Sequence, residues 1–361
     1  LRGQNTLGIG VLGGVRTILA NADPQRGATL WDATNFGQPA PLGLLVGTNL
    51  RTVAFSGDGR TVVSVESTNN TTLWDITDPK APISRSTLSG IGHDDDIVTA
   101  AFSPNGHILV TAGSAALRGD GSHPGLTILW DVTHADHPIR LATLADHTDL
   151  VVAVAFSPDG HTLATGGFDK TARLWDISRP GQPIVLTELT DHSGSVLGVA
   201  FSPDGQTLAT GSQDKTTLLW NVSRPRRPVR VATLTGATSS VGAVVFSAQH
   251  GLLATAGYDD RVLLWDVKDP RYPTQLAVLT GQTKIVGDVA FTANGQRLVT
   301  AAGDGSDVAW DLRPTVDVVL RLADVACAMA GSGLTREDWN RYANNVPFRP
   351  TCSTDGIGSA R

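Results

Sequence analysis

Tryptophan recurs in this chain at positions 31, 74, 130, 175, 220, 265 and 310, with spacings of 43 and 56 and then 45 four times over. Aspartate follows six of these tryptophans, and Asn221 follows Trp220. A second marker keeps step with the first. Phe55, Phe156, Phe201, Phe246 and Phe291 each lie 19 residues before a repeat tryptophan, and Phe102 lies 28 before Trp130. A gap that stays fixed while the intervening loops vary marks a rigid unit. Repetition at this period is the signature of stacked supersecondary units, none of which can bury its apolar faces alone.

Residues 147–189 are the clearest copy and contain four short runs, VVAVAFS, TLATGG, ARLWDI and PIVLTEL. Each is apolar or β-branched and is bounded by Gly, Pro, Asp or Ser, which reads as strand. The SPDG segment between the first two places Pro and Gly where a tight turn requires them. Four strands in 45 residues make one small antiparallel sheet. Seven such sheets closed into a ring give an all-β, seven-bladed β-propeller over residues 1–314. Composition agrees: 39 glycines suit recurrent turns, and 17% charged with 41% hydrophobic residues suits sheets covered on both faces and excludes disorder. No apolar run reaches the length of a membrane-spanning helix. A net charge of −6 argues against a general nucleic-acid binder. Two cysteines supply neither a disulfide framework nor a four-cysteine zinc site.

These repeats resemble the WD-repeat propeller family, most closely in blades four and five, with a degenerate first blade. The resemblance implies a buried hydrogen-bond relay of His, Thr, Asp and Trp within a blade. The matching residues are His147, Thr165, Asp169 and Trp175, and then His192, Thr210, Asp214 and Trp220. Elsewhere the pattern decays. Ala237 and Gln282 replace the histidine, although Asp259 and Asp304 remain, and blade three keeps His93 but has Pro124 at the aspartate position. Packing is expected to hold those blades. The histidines read as structural and not as metal ligands. In related propellers the residue before the blade aspartate faces the upper rim of the central channel. Here those residues are Phe168, Gln213 and Tyr258, candidate partner contacts whose competing reading is packing against a neighbouring blade.

Loops over a rigid scaffold are where binding residues gather. Blade three carries nine extra residues within 115–124, including Arg118, Asp120 and His123. Asp94, Asp95 and Asp96 precede the same blade and read as a solvated acidic loop or an attractant for a basic partner. On the opposite rim Arg224, Arg226, Arg227 and Arg230 cluster, with Lys268 and Arg271 in the next connector. They read as a solvated rim or as a contact for an acidic surface. Gly8, Gly10 and Gly13 spell GxGxxG, but the following segment reads as strand, so the dinucleotide site that needs a helix there is not expected. No nucleophile elbow, phosphate loop or metalloprotease motif occurs, and the expectation is a non-enzyme without cofactor or metal.

The sole methionine is Met329, so the chain reads as a fragment or processed product. The first inner strand is expected near residues 6–12. The outer strand closing the last blade would come from upstream residues or from the tail. In the tail, residues 315–361, Val316, Val319, Leu320, Ala323, Ala326, Cys327 and Ala330 follow helical spacing, and Thr335 opens a second short helix. A strand through Val316, Val318, Leu320 and Leu322 is the weaker reading. Cys327 and Cys352 are either a disulfide stapling the two helices or two separate thiols. A bonded pair implies an extracytoplasmic domain of a membrane-tethered protein, and free thiols imply a cytoplasmic one. The tail also resembles that of WD-repeat regions in actinobacterial STAND-NTPase or protein-kinase signalling proteins. That resemblance implies a non-catalytic scaffold that binds protein or peptide as the sensing or docking domain of a larger bacterial protein. The alternatives are a regulatory cap on an upstream NTPase or kinase and, more remotely, a propeller hydrolase.

Overall fold

The computed structural model describes residues 7–313 except 13–15, 24–26, 36–37, 48–49, 67–69, 89–96, 116–123, 146, 250, 293 and 304–306. Among them run seven antiparallel sheets in chain order, six of four strands and a last of three. The inner strands are Leu7–Leu12, Leu50–Phe55, Ile97–Phe102, Val151–Phe156, Val196–Phe201, Val241–Phe246 and Val286–Phe291. Each lies beside the next, and Leu7–Leu12 lies beside Val286–Phe291, which closes the ring. The chain is therefore a seven-bladed β-propeller. Its seventh blade ends at Asp307–Asp311, with no outer strand among the described residues. The tail and both cysteines lie outside the described residues.

The repeat tryptophan explains how blades adhere. Trp175 packs with Val110, Leu129 and Leu144 of blade three. Trp220 packs with Leu174 and Leu189 of blade four, and Trp265 with Leu219 and Leu234 of blade five. Trp31 completes the circle against Val299 and Ala301 of blade seven. Each indole thus seats in the preceding blade, and the 45-residue period is the distance along the chain between successive seats. The second and third strands are covered on both faces; all six residues of Thr207–Ser212 are buried. Such strands read as continuous apolar runs, not alternations. Outer strands present one side to solvent, as in the exposed-to-buried progression of Ile184–Leu189.

Small residues let the sheets approach. A Cβ at Gly166 would lie 2.8 Å from Val196 Cγ1 of the next blade, and one at Gly211 would lie 2.9 Å from Val241 Cγ1 of the blade after that; within blade six, one at Gly257 would lie 1.9 Å from the Ser240 carbonyl oxygen. Register shifts recur at the same places, near Val151/Ala153 on the inner pair and Leu174/Trp175 on the outer pair of blade four. Bulges of this kind increase the twist that a blade needs.

Two polar devices close the lower turns. In the SPDG turn Ser157 Oγ donates to Asp159 Oδ1 (2.5 Å), and the His161 amide donates to the same oxygen (2.9 Å). The residue after each tryptophan caps the exit of the third strand. Asp75, Asp131, Asp176, Asn221, Asp266 and Asp311 each accept a hydrogen bond from the amide two residues on. An Asx turn accepts either Asp or Asn, which accounts for Asn221. The hairpins between second and third strands, with the links between blades, form the upper rim.

Candidate functional site

In blade four the Trp175 indole N–H donates to Thr165 Oγ1 at 3.0 Å. Thr165 Oγ1 lies 2.7 Å from His147 Nε2, and His147 Nδ1 lies 2.9 Å from Asp169 Oδ2. In blade five Trp220 donates to Thr210 Oγ1 (3.0 Å), which lies 2.8 Å from His192 Nε2, and His192 Nδ1 lies 2.8 Å from Asp214 Oδ2. One direction of donation satisfies every member: indole to hydroxyl, hydroxyl to Nε2, and Nδ1–H to carboxylate. It places on Nδ1 the imidazole proton that faces each carboxylate. The histidine side chains are only 2% and 3% exposed, so their partners are protein groups and not water.

The carboxylates end the relay and tie it to the rim. Asp169 also accepts from the Thr148 amide and from the amide and hydroxyl of Thr171. Asp214 does the same with Ser193 and Thr216. Burial alone would push both carboxyls up. The donors, with His147 and His192 among them, outweigh it and hold each at about 2, against an ordinary value of 3.8.

Among the described residues, blades two, three, six and seven show the inner half of the relay; His93 and Asp304 lie outside the described residues. Trp74 donates to Ser64, Trp130 to Thr111, Trp265 to Thr255 and Trp310 to Thr300, at 2.9 to 3.1 Å. Asp259 has no histidine and accepts from the amide and hydroxyl of Thr238. Gln282 is buried at the histidine position of blade seven with its Nε2 unpaired among the described residues. Pro124 accepts from the Ala115 amide and closes the mouth of the blade-three hairpin.

Phe168, Gln213 and Tyr258 occupy equivalent places on the upper rim. Their amides donate to the carbonyls of Leu150, Ser195 and Ser240 at 2.9 to 3.0 Å, which pins each hairpin to the loop that opens its blade. Lys170, Lys215 and Asp260 follow in the left-handed region at φ 68°, 73° and 60°, and this fixes the turn. The side chains then differ. Phe168 is 36% exposed. Gln213 Oε1 accepts from Ser195 Oγ at 3.2 Å, and the same hydroxyl lies 3.4 Å from the Phe168 carbonyl oxygen, which joins blades four and five. Tyr258 lies over Gly242 of its own inner strand, and a Cβ there would be 3.2 Å from its ring. Asp94, Asp95, Asp96, Arg118, Asp120 and His123 fall outside the described residues.

Sequence reasoning did not single out Asp288. It stands on the inner strand where the other described blades have Thr52, Thr99, Ala153, Gly198 and Ala243. Burial raises its carboxyl to about 7, against one opposing hydrogen bond from the Val289 amide at 2.8 Å. The signal was available as a lone acid in a column of small residues. Among the described residues, no cluster of His, Cys, Asp and Glu is suited to a metal ion, and no helix is long and apolar enough to cross a membrane.

The family described as WD domain, G-beta repeat matches residues 84–122, 139–176, 184–221, 228–266 and 273–311. The last four matches run from the outer strand of one blade to the third strand of the next, so the sequence repeat straddles the blade boundary. Protein groucho of Drosophila melanogaster is 27% identical over 148 residues, 40% of this chain and 18% of that protein. The chain thus spans under a fifth of that relative. A chain in the crystal structure of the mitotic checkpoint complex superposes with a TM-score of 0.68 at 24% identity, covering 85% of this chain and 86% of that one. At that identity the likeness is one of fold.

Proposed function

The chain belongs to the WD40 repeat family, and from that premise we propose that it is a non-catalytic scaffold that binds a protein or peptide on its upper rim across blades four to six. The observation that carries the reading is Phe168, a large aromatic side chain left 36% exposed on a hairpin whose backbone is fixed at both ends. A rigid aromatic anchor gives up little entropy on binding, which is why such residues dominate interaction energies. Gln213 supplies a polar group already oriented by Ser195, and Tyr258 a second ring two blades away. The relays lie beneath Phe168 and Gln213 and stiffen the blades that display them. The checkpoint complex, by name an assembly, supports a protein-binding role by likeness of fold.

The resemblance of the tail to actinobacterial signalling proteins supports a narrower reading, in which the ring is the sensing or docking domain of a larger bacterial protein. The upper-rim reading is tested by pull-down with Phe168→Ala, Tyr258→Ala and the double variant. Retention of every captured protein by the double variant overturns it. The narrower reading is tested by sequencing the gene around this segment, and the absence of an NTPase or kinase domain there overturns it.

A further inference from the structure

On the lower rim a groove of about 470 Å³ opens between the connectors of blades four and five. Blade five contributes residues 224–227, Arg-Pro-Arg-Arg, and blade four contributes His161, Asp176 and Leu186. The three guanidiniums are exposed, and among the described residues no carboxylate pairs with any of them. Arg179, which stands in blade four where Arg224 stands here, has no such partner either among the described residues, whereas other arginines of the ring are held. Arg271, which stands in blade six where Arg226 stands here, is held by Asp269 at 2.8 Å, and Asp269 occupies the place of Arg224. Arg85 is held by Asp75 at 2.6 Å, and Arg230 by Asp191 at 3.1 Å. The connector backbone keeps the triad together: Pro225 separates Arg224 from Arg226, Pro228 follows Arg227, and the Arg227 amide donates to the Arg224 carbonyl at 2.8 Å. Among the described lining residues the one carboxylate, Asp176, accepts from the Ser178 amide at 3.0 Å as a turn cap, which holds it below its ordinary value with help from the nearby Arg226 charge.

Three cations concentrated on one wall create a positive site on a chain whose net charge is −6. Leu186 adds an apolar contact. It is the residue skipped by the register between Leu174/Thr187 and Trp175/Val185, and a bulge re-aims such a side chain. The geometry points to a docking site for an acidic peptide segment of a partner protein, its carboxylates on Arg224, Arg226 and Arg227 and one apolar side chain on Leu186. Arginine forks pair with carboxylates in a bidentate manner. The recess favours a peptide over an anionic bilayer, because a flat surface does not enter it. This inference is independent of the upper-rim reading and concerns the opposite rim.

The test is an array of short synthetic peptides of acidic, neutral and basic composition, probed with the wild-type chain and with the double variant Arg226→Gly/Arg227→Gln. These replacements are the residues that Gly181 and Gln182 already place in the blade-four connector, so the ring tolerates them. Arg271→Ala, outside the groove, is the control. The expected result is retention of acidic peptides bearing a Leu or Ile, roughly tenfold weaker in the double variant and weakened by added salt, as rim charge contacts are. Arg271→Ala should bind them as the wild type does. Failure to retain acidic peptides, or equal retention by the double variant, overturns the proposal. Co-sedimentation with phosphatidylserine vesicles in place of peptide binding would also overturn it and would assign the groove to a membrane.

Discussion

Replacing Asp214 with Asn removes the charge at the end of the blade-five relay while preserving its shape. The carboxyl sits at about 2 in the folded chain and has an ordinary value of 3.8. A pKa held down by folding stabilises the fold wherever the carboxyl is ionised in both states, and that contribution disappears as pH falls through the folded value. At 1.36 kcal/mol for each pH unit, the difference is worth about 2 kcal/mol at neutral pH and about 1 kcal/mol at pH 3. Urea unfolding followed by tryptophan fluorescence at the two pH values measures it, and Trp220 within the relay contributes to the signal. The wild type should exceed Asp214→Asn by about 2 kcal/mol at pH 7, with the gap narrowing by roughly half at pH 3. Asp169→Asn should behave alike, because Asp169 sits at the same value with the same kinds of donors. The reasoning is refuted if the gap is the same at both pH values, since the carboxylate charge would then contribute nothing.

Other outcomes follow from single contacts. Asp288 has the opposite sign: burial raises its carboxyl to about 7, so the folded chain binds the extra proton and this residue weakens the fold as pH rises from about 4 to 7. Asp288→Ala should therefore raise the melting temperature at pH 8 and much less at pH 4, and a pH-independent change argues against it. Gly257→Ala places a Cβ 1.9 Å from the Ser240 carbonyl and should cost the ring several degrees or its solubility, whereas Gly181→Ala, with nothing within 4 Å, should be silent in the same thermal scan. Thr210→Val strands Trp220 Nε1 and takes from His192 Nε2 one of its two partners, leaving the Thr210 carbonyl oxygen at 3.2 Å, and should cost more than the ~1–3 kcal/mol of one stranded group in urea unfolding. Thr255→Val strands only Trp265 Nε1 and should cost less, about 1–3 kcal/mol.

The fold was largely legible because it is written in large, buried, recurrent residues. Trp175 and Phe156 keep a fixed distance because both sit in one blade, and the relay was legible because His147, Thr165, Asp169 and Trp175 are chemically distinctive. The role of the residue after tryptophan was harder to read. Asp176 caps a turn through a backbone amide, and any residue can supply an amide. Asp288 escaped notice because one acid on an inner strand looks like any other until the neighbouring blades are placed in register beside it. The lower groove was legible only by half. The arginines were visible as a cluster, but their lack of carboxylate partners and the nearness of Leu186 depend on how two blades meet. The placement of the Tyr258 ring likewise depends on Gly242 of the inner strand beside it.

The central claim, that the ring presents a rigid upper rim to a protein partner, is tested most directly by site-specific photo-crosslinking. A benzophenone amino acid is placed in turn at Phe168, at Tyr258 and at Ile83, an exposed residue on the outer strand of blade two. The account predicts one partner protein crosslinked from both rim positions and not from Ile83. Crosslinking of that partner from Ile83 alone, with none from the rim, would contradict it.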